Sequence, residues 1–287
     1  MTTPDFAAAE QFLAASARVL ERRRHEHLFH GGGAEPVRAA VTAYRNADGG
    51  FGHALEPDGR CPGSQSLATD FALHTLLDAG AWDGAVALAA CDWLARTAPA
   101  EGGTVFVTPA IAGWPHAPWW DPADQSASLT CTALLAGTMH AGRVSHPWLD
   151  GATALVWSRI DALRKPSPYD MRALLWFLEQ VPDTGRAERA LDRVCPLIFE
   201  HGLVALDPQT PGEVHFPLDF APLPTSPARR FFDQPVIDAQ LDHLAASQLA
   251  DGGWTFNWPA WSPAAEREWR GHMTVEALRV LRANGRC

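Results

Sequence analysis

The sequence predicts an all-α protein, folded as a single domain from helical hairpins that recur about every 50 residues. Three observations support this fold class. Apolar residues recur at helical spacing through most of the 287-residue chain. No segment shows the sustained alternation of β-branched residues that is typical of strands. Glycine-containing turns follow predicted helices near positions 49, 102, 202 and 252, an interval typical of stacked or ring-closed units.

The first helix is predicted over residues 5–28, after the Thr3-Pro4 start signal. Its apolar residues share one face: Phe6, Phe12, Leu13, Ala17 and Leu20. Further helices are predicted over residues 35–46, 65–80, 83–97, 126–141, 147–164, 167–181, 186–200, 231–248 and 264–284. A short extended piece at 104–107 would lie in a loop.

The glycine turns have related sequences, NADGGFG (46–52), EGGTVF (101–106), HGLV (201–204) and DGGWTF (251–256). Glycine permits the left-handed conformation that ends a helix. A long loop follows each turn, at 53–63, 107–124, 205–230 and 255–265. Long ordered loops are commonly functional, and the tryptophans in these argue against disorder. Because the loops occupy one position in the repeat, we expect them to surround the mouth of a cavity.

Composition excludes several functional classes. The net charge is −10 and Lys165 is the only lysine, so nucleic acid is a poor partner. The arginines at 22–24 are expected to form a solvated helix face. No run approaches the ~20 apolar residues of a membrane span, although peripheral membrane contact is compatible with the chain. The N-terminus does not resemble a secretory signal, which predicts a cytoplasmic protein.

The cysteines are scattered and odd in number: Cys61, Cys91, Cys131, Cys195 and Cys287. There is no CxxC pair, which argues against a disulfide framework and a paired-cysteine zinc module. We expect small buried side chains and one terminal thiol.

Two segments carry a family resemblance. QLADGGW (248–254) resembles the QW repeat of squalene and oxidosqualene cyclases, and YRNADGGFG (44–52) looks like a second copy with phenylalanine for tryptophan. The repeat is also similar to that of protein prenyltransferase β subunits. The resemblance implies an α/α toroid of about ten to twelve helices. It also implies an enzyme that acts on a hydrophobic isoprenoid substrate through carbocation chemistry.

The catalytic motifs of that superfamily are missing. The chain has no Asp-x-Asp-Asp, no Asp-Asp-x-x-Asp and no Asp-x-Cys motif, and DPAD (121–124) is the closest string. Acid-initiated cyclisation requires no cofactor, and the sequence leaves Mg²⁺ and Zn²⁺ open. A zinc site built from Asp70, Cys131 and His272 has no local spacing to support it.

Asp70 is the first candidate for the acid, with His74 one turn later on the same helix face. A carboxyl group in an apolar cavity has a raised pKa and can donate a proton, which a neighbouring imidazole can orient or take back. The alternative is an aspartate near the helix N-cap that balances the helix dipole.

Further acidic candidates lie in the long loops. Asp121 and Asp124 follow two tryptophans, and Asp124 is also a candidate N-cap. Glu56 and Asp58 belong to a Pro-Asp-Gly turn string, for which turn formation is the alternative.

Tryptophan faces stabilise cations by roughly 0.5–2 kcal/mol each, stack on sugars or fill cores. The chain has twelve tryptophans. We expect a substrate cavity to be lined by Trp119, Trp120, Trp258, Trp261 and Trp269, whereas Trp93, Trp157 and Trp176 fit helical core stripes.

Two other functions fit the same residues. A carbohydrate-active enzyme, either glycosidase or lyase, would need two carboxyl groups ~5–9.5 Å apart. A non-catalytic protein that binds a lipid or a protein partner would have an apolar cavity without inward-facing carboxylates.

Overall fold

The fold is known from a computed structural model that describes residues 3–286, so the predicted terminal thiol of residue 287 lies outside the described part. Within that part the chain is all-α, as predicted, and has two isolated β-bridges but no sheet. The α-helices are Phe6–Ser16 (α1), Val19–His30 (α2), Ala34–Thr42 (α3), Ser66–Asp78 (α4), Gly84–Thr97 (α5), Leu129–Ala141 (α6), Pro147–Ala162 (α7), Pro168–Gln180 (α8), Thr184–Glu200 (α9), Pro217–Phe220 (α10), Gln234–Ala246 (α11) and Pro263–Ala283 (α12).

The prediction of one continuous first helix over residues 5–28 is wrong, because this segment forms two helices, α1 and α2. Ala17 is extended between α1 and α2, and Arg18 is the extended N-cap of α2. A Cβ placed on Gly271 of α12 would lie 3.0 Å from the Cβ of Ala17, so the break is packed tightly against α12. The remaining predicted helices lie where the sequence places them, and the short α10 inside the loop 205–230 was not predicted.

Several helices start at side-chain caps. Asp5 accepts a hydrogen bond from the N–H of Ala8 at the start of α1. Ser167 and Asp170 form a reciprocal capping box at the start of α8. Such caps satisfy backbone donors that have no partner inside the helix. The helix starts therefore follow from local sequence.

The chain divides into two compact units, with one boundary between residues 32 and 33 and the other inside α9. The central unit comprises residues 33–194, and the terminal unit comprises residues 3–32 and 195–286. In the central unit α6 packs against α4, α7 and α8, and its residues Cys131, Ala133, Leu135, Ala136 and Met139 are fully buried. In the terminal unit α12 packs against α1, α2 and α11. The single-domain prediction stays a prediction.

The four repeat glycines have the positive φ that the sequence predicts. Two of them also approach another helix closely: a Cβ on Gly49 would overlap the carbonyl oxygen of Ala89, and one on Gly252 would overlap that of Ala8. At these two positions glycine is therefore required by both backbone conformation and packing.

One hydrogen bond recurs after three of the turns. A backbone N–H just after the glycines donates to a threonine hydroxyl on the helix that follows the long loop. The pairs are Phe51 to Thr69 (3.1 Å), Thr104 to Thr132 (3.0 Å) and Trp254 to Thr274 (3.0 Å). Each bond is buried. The turn and the later helix are thus joined in the same way in both units.

None of the helices within residues 3–286 combines the length and the apolar composition that crossing a membrane requires.

Candidate active site

Asp70 lies in the second turn of α4 in the central unit, and part of its surface is exposed. Its Oδ1 atom accepts a hydrogen bond from the hydroxyl of Thr138 on α6 (3.1 Å). That hydroxyl in turn accepts a hydrogen bond from the indole N–H of Trp176 on α8 (3.1 Å). The three helices therefore hold the carboxyl group through a relay that fixes its orientation.

Burial raises the pKa of Asp70, and this effect outweighs the opposing effects of His74 and the Thr138 hydrogen bond. A carboxyl group with a raised pKa keeps its proton to higher pH and can act as a general acid. The alternative role near the N-cap is wrong, because Gln65 is the N-cap of α4 and the first turn contains no acidic residue. The helix dipole acts mainly within the first turn and does not explain this aspartate.

His74 has a different close partner from the one predicted. Its Nε2 atom lies 3.7 Å from Oδ2 of Asp78, one turn further along α4. Its ring also packs on Trp176, with 4.8 Å between ring centroids. Trp176 was expected in the core, but it is half-buried and links the histidine to the relay. His74 therefore affects Asp70 through its charge, as the pKa shift records.

The buried thiol of Cys131 on α6 is affected by the charges of three carboxyl groups in the central unit. Burial raises the pKa of this thiol, a hydrogen bond with Ser128 lowers it, and the charges of Asp70, Glu56 and Asp170 raise it further. The sequence did not single out Asp170, which comes from the start of α8. The central unit thus brings together acidic residues from a loop and two helices.

The proposed zinc ligands are distributed between the units. Asp70 and Cys131 lie close together in the central unit, whereas His272 belongs to the terminal unit. A cysteine binds zinc as its thiolate, and the surroundings of Cys131 favour the protonated thiol.

Two of the predicted mouth loops are joined through their backbones. Ala117 donates to the carbonyl of Asp58 (2.7 Å), and Arg60 donates to that of Pro115 (2.9 Å). Asp58 and Glu56 are both buried, and Glu56 accepts a hydrogen bond from the N–H of Asp58 (2.9 Å). The turn expected from the Pro-Asp-Gly string is therefore formed inside the unit rather than at an open rim.

The adjacent tryptophans Trp119 and Trp120 have different surroundings. Trp120 is buried against Gly59, where a Cβ would lie 2.6 Å from its ring. Beside it is a cavity of about 10 Å³, lined in part by Glu56 and Gln65. That volume accommodates about one water molecule. Trp119 is exposed (46%).

Asp121 and Asp124 lie on the exposed loop before α6. Asp121 accepts a hydrogen bond from the N–H of Ala123 (2.9 Å). The hydroxyl and N–H of Ser126 donate to Asp124 and lower its pKa. The N-cap prediction for Asp124 is wrong, because Ser128 caps α6. A lowered pKa makes Asp124 a weaker candidate for the acid than Asp70.

The other candidate tryptophans belong to the terminal unit. Trp258 packs edge-on against Trp269 (5.3 Å between centroids) and also contacts Phe256 (4.5 Å). Trp261 is partly buried just before α12. The ring of Trp269 contacts His272 (5.7 Å). The rings of Phe256, Trp258, Trp269 and His272 therefore form one continuous cluster near the start of α12.

Next to that cluster is a charged network that the sequence analysis missed. Arg24 is buried (4% exposed) and contacts Oε1 of Glu276 (2.5 Å) and Nδ1 of His272 (3.2 Å). The solvated face expected for residues 22–24 is therefore wrong for this arginine. Burial lowers the pKa of His272 to about 4, so its ring is neutral at pH 7. Burial alone would raise the pKa of Glu276, but Arg24 and Arg279 outweigh it and lower the pKa.

An open groove with a volume of about 730 Å³ runs along α7 in the central unit. Its walls include Asp150, Trp157, Asp161 and Arg186. None of the residues predicted to form the active site lines this groove.

The chain was also compared with known proteins. No protein-family model and no curated protein sequence matches it.

Proposed function

We propose that this protein is an α/α toroid enzyme, similar to terpenoid cyclases and protein prenyltransferases, in which Asp70 protonates a hydrophobic isoprenoid substrate. The observation that carries the proposal is the raised pKa of Asp70 within a relay of Thr138 and Trp176. Asp70 therefore retains its proton to higher pH, and the hydrogen bonds of the relay fix the orientation of its carboxyl group.

The toroid is supported by the recurring turn geometry. The two clearest QW-like segments contain Gly49 and Gly252, which have φ values of 100° and 89° and each abut the backbone of a neighbouring helix. The recurring bond from the turn to a threonine joins each of three turns to a later helix. Sequence repeats that pack against their neighbouring helices in the same way favour a stacked or ring-closed architecture.

The proposed reaction begins with proton transfer. The O–H bond of the Asp70 carboxyl group breaks, and its proton forms a C–H bond at one carbon of an alkene. The electron pair of the double bond is used for this bond, so the other carbon becomes a cation and Asp70 becomes a carboxylate. Aromatic faces stabilise such a cation by roughly 0.5–2 kcal/mol each. The product cation then loses a proton to water, the electrons of that C–H bond form the alkene of the product, and water returns a proton to the Asp70 carboxylate.

Glycoside cleavage is the second candidate, because the charges of Asp70, Glu56 and Asp170 all act on the Cys131 thiol, which indicates that these acids share one region of the central unit. A glycosidase needs one protonated and one ionised carboxyl group. Asp170 accepts hydrogen bonds from the hydroxyls of Thr130 (2.8 Å) and Ser167 (2.8 Å), and we propose it as the second carboxyl group, with Asp70 as the acid.

The test compares Asp70→Asn with the control Asp124→Asn. Both variants are assayed with squalene, geranylgeranyl diphosphate and a panel of oligosaccharides, with product formation as the readout. We expect turnover of an isoprenoid by the wild type, a ~10²–10⁴-fold loss in Asp70→Asn and little change in the control. Cleavage of oligosaccharides alone, with the same dependence on Asp70, would establish the second candidate.

The melting temperature of Asp70→Asn shows whether a loss of turnover comes from lost catalysis or from impaired folding. Because the folded-state pKa of Asp70 is raised, its ionisation opposes folding at any pH above its ordinary value of 3.8. Asp70→Asn should therefore melt at the same temperature as the wild type or higher at pH 7. Turnover of Asp70→Asn at the wild-type rate would refute the role of Asp70.

A further inference from the structure

Three side chains of the terminal unit form a group with metal-binding chemistry. Glu10 lies on α1, and His25 and His30 lie on α2. Each offers one ligand atom, and these atoms are all within 4.8 Å of one another. Nε2 of His30 contacts Oε1 of Glu10 (2.6 Å), and the rings of His25 and His30 have centroids 5.1 Å apart. The packing of α1 on α2 therefore brings together an oxygen and two imidazole ligands.

His25 supplies a second, independent observation. Its side chain is buried (6% exposed), and its Nε2 atom has no hydrogen-bond partner among residues 3–286. Buried polar atoms nearly always have a partner in folded proteins, so an atom without one needs an explanation. Phe29 packs on the His25 ring (5.0 Å) and Phe6 packs on Phe29 (6.0 Å), which keeps this ring in place.

We propose that Glu10, His25 and His30 bind a divalent transition-metal ion, and that Zn²⁺ is the ion that suits the ligands. Two imidazoles and one carboxylate are a common zinc ligand set, and they leave a fourth tetrahedral position for water or a bound molecule. A metal bound through Nε2 of His25 would give this buried atom the partner that it lacks.

The geometry requires only small movements. Zinc binds nitrogen and oxygen at about 2.0–2.2 Å, so ligand atoms in a tetrahedral site are roughly 3.3 Å apart. The side chains of Glu10 and His30 are 42% and 52% exposed, and both can rotate toward a metal. His25 is the fixed ligand.

The test uses the full chain without a histidine tag, after treatment with a chelator. Calorimetry with ZnCl₂ should show one tight site per chain, and Co²⁺ should give visible absorption bands of a site with mixed nitrogen and oxygen ligands. His30→Ala and Glu10→Gln should each weaken zinc binding by about 10-fold to 100-fold or more, because second-shell changes alone cost that much. Both residues are half-exposed, so these variants should fold, which circular dichroism checks.

The matched control is His27→Gln. His27 lies on the same helix outside the group, and its Nδ1 atom is 2.8 Å from the carbonyl oxygen of Gly32, to which glutamine can also donate. Zinc affinity should stay within about threefold of the wild type in this variant. His25→Ala should abolish the Co²⁺ bands. The proposal is overturned by a wild-type chain that binds no zinc at micromolar concentration, or by His30→Ala and the control binding zinc equally well.

Discussion

Gly252→Ala is the sharpest test of how the terminal unit is packed. Gly252 has a φ of 89°, and a Cβ at this position would overlap the carbonyl oxygen of Ala8 in α1. Gly202 in the same unit also has a positive φ, 60°, but a Cβ there meets nothing within 4 Å. The two alanine variants therefore share the backbone penalty and differ in the steric one.

The magnitudes follow from these two contributions. A left-handed conformation costs a non-glycine residue roughly 1–2 kcal/mol, which is the expected loss of unfolding free energy for Gly202→Ala. Overpacking adds about 1–3 kcal/mol, because here the obstacle is backbone that must shift. Gly252→Ala should therefore lose roughly 2–5 kcal/mol in total.

Urea unfolding of both variants measures the difference, and hydrogen exchange locates it. Amides of α1 and α12 should lose protection in Gly252→Ala, because the clash pushes on α1 and the turn is bonded to α12 through Thr274. Equal losses of unfolding free energy in Gly252→Ala and Gly202→Ala would refute the close approach between this turn and Ala8.

Three further predictions concern ionisable groups in the folded protein. Arg24→Met should cost about 3 kcal/mol of unfolding free energy in urea, because breaking a buried ion pair costs roughly 3–5 kcal/mol; a loss under about 0.5 kcal/mol would contradict the pairing. The pKa of Glu276 is lowered in the folded chain, so its stabilisation is present above its ordinary pKa of 4.5 and is lost as the pH falls below that value. Glu276→Gln should accordingly be less sensitive to acid than the wild type. Thr138→Val removes a hydrogen bond that lowers the pKa of Asp70, so a carboxyl ¹³C NMR titration should show that pKa rising further; a fall would refute the relay.

The helices could be predicted because their signals are local. The start of α8, for example, is set by Ser167 and Asp170, which are three residues apart. The break between α1 and α2 could not be predicted, because its packing partner is Gly271, far away in sequence. Such a break depends on contacts with residues distant in sequence, and helical periodicity contains no information about those contacts.

Only part of the candidate site could be predicted, because its residues are recognisable from local sequence but their partners are distant in sequence. Asp70 is conspicuous as an acid in an apolar helical stretch, but its partner Thr138 is 68 residues away. Trp176 fits a core stripe, and only the packing of α8 on α6 shows that its indole N–H donates to that threonine. His25 and His30 are visible in the sequence, yet only the contact between α1 and α2 adds Glu10 to them.

Glu276 of the terminal unit and Asp70 of the central unit have opposite electrostatic surroundings, and this difference favours our proposal that Asp70 is the proton donor. Glu276 lies between arginines that lower its pKa, so it is ionised at neutral pH and stabilises the fold. Glu21 is fully buried and accepts two hydrogen bonds from Arg18, at 3.0 Å and 2.6 Å. No arginine is among the groups that shift the pKa of Asp70, and burial raises that pKa. An acid must hold a proton before it can donate one. Glu276 and Glu21, which pair with arginines, are therefore structural, and Asp70 is the residue that we propose as the acid.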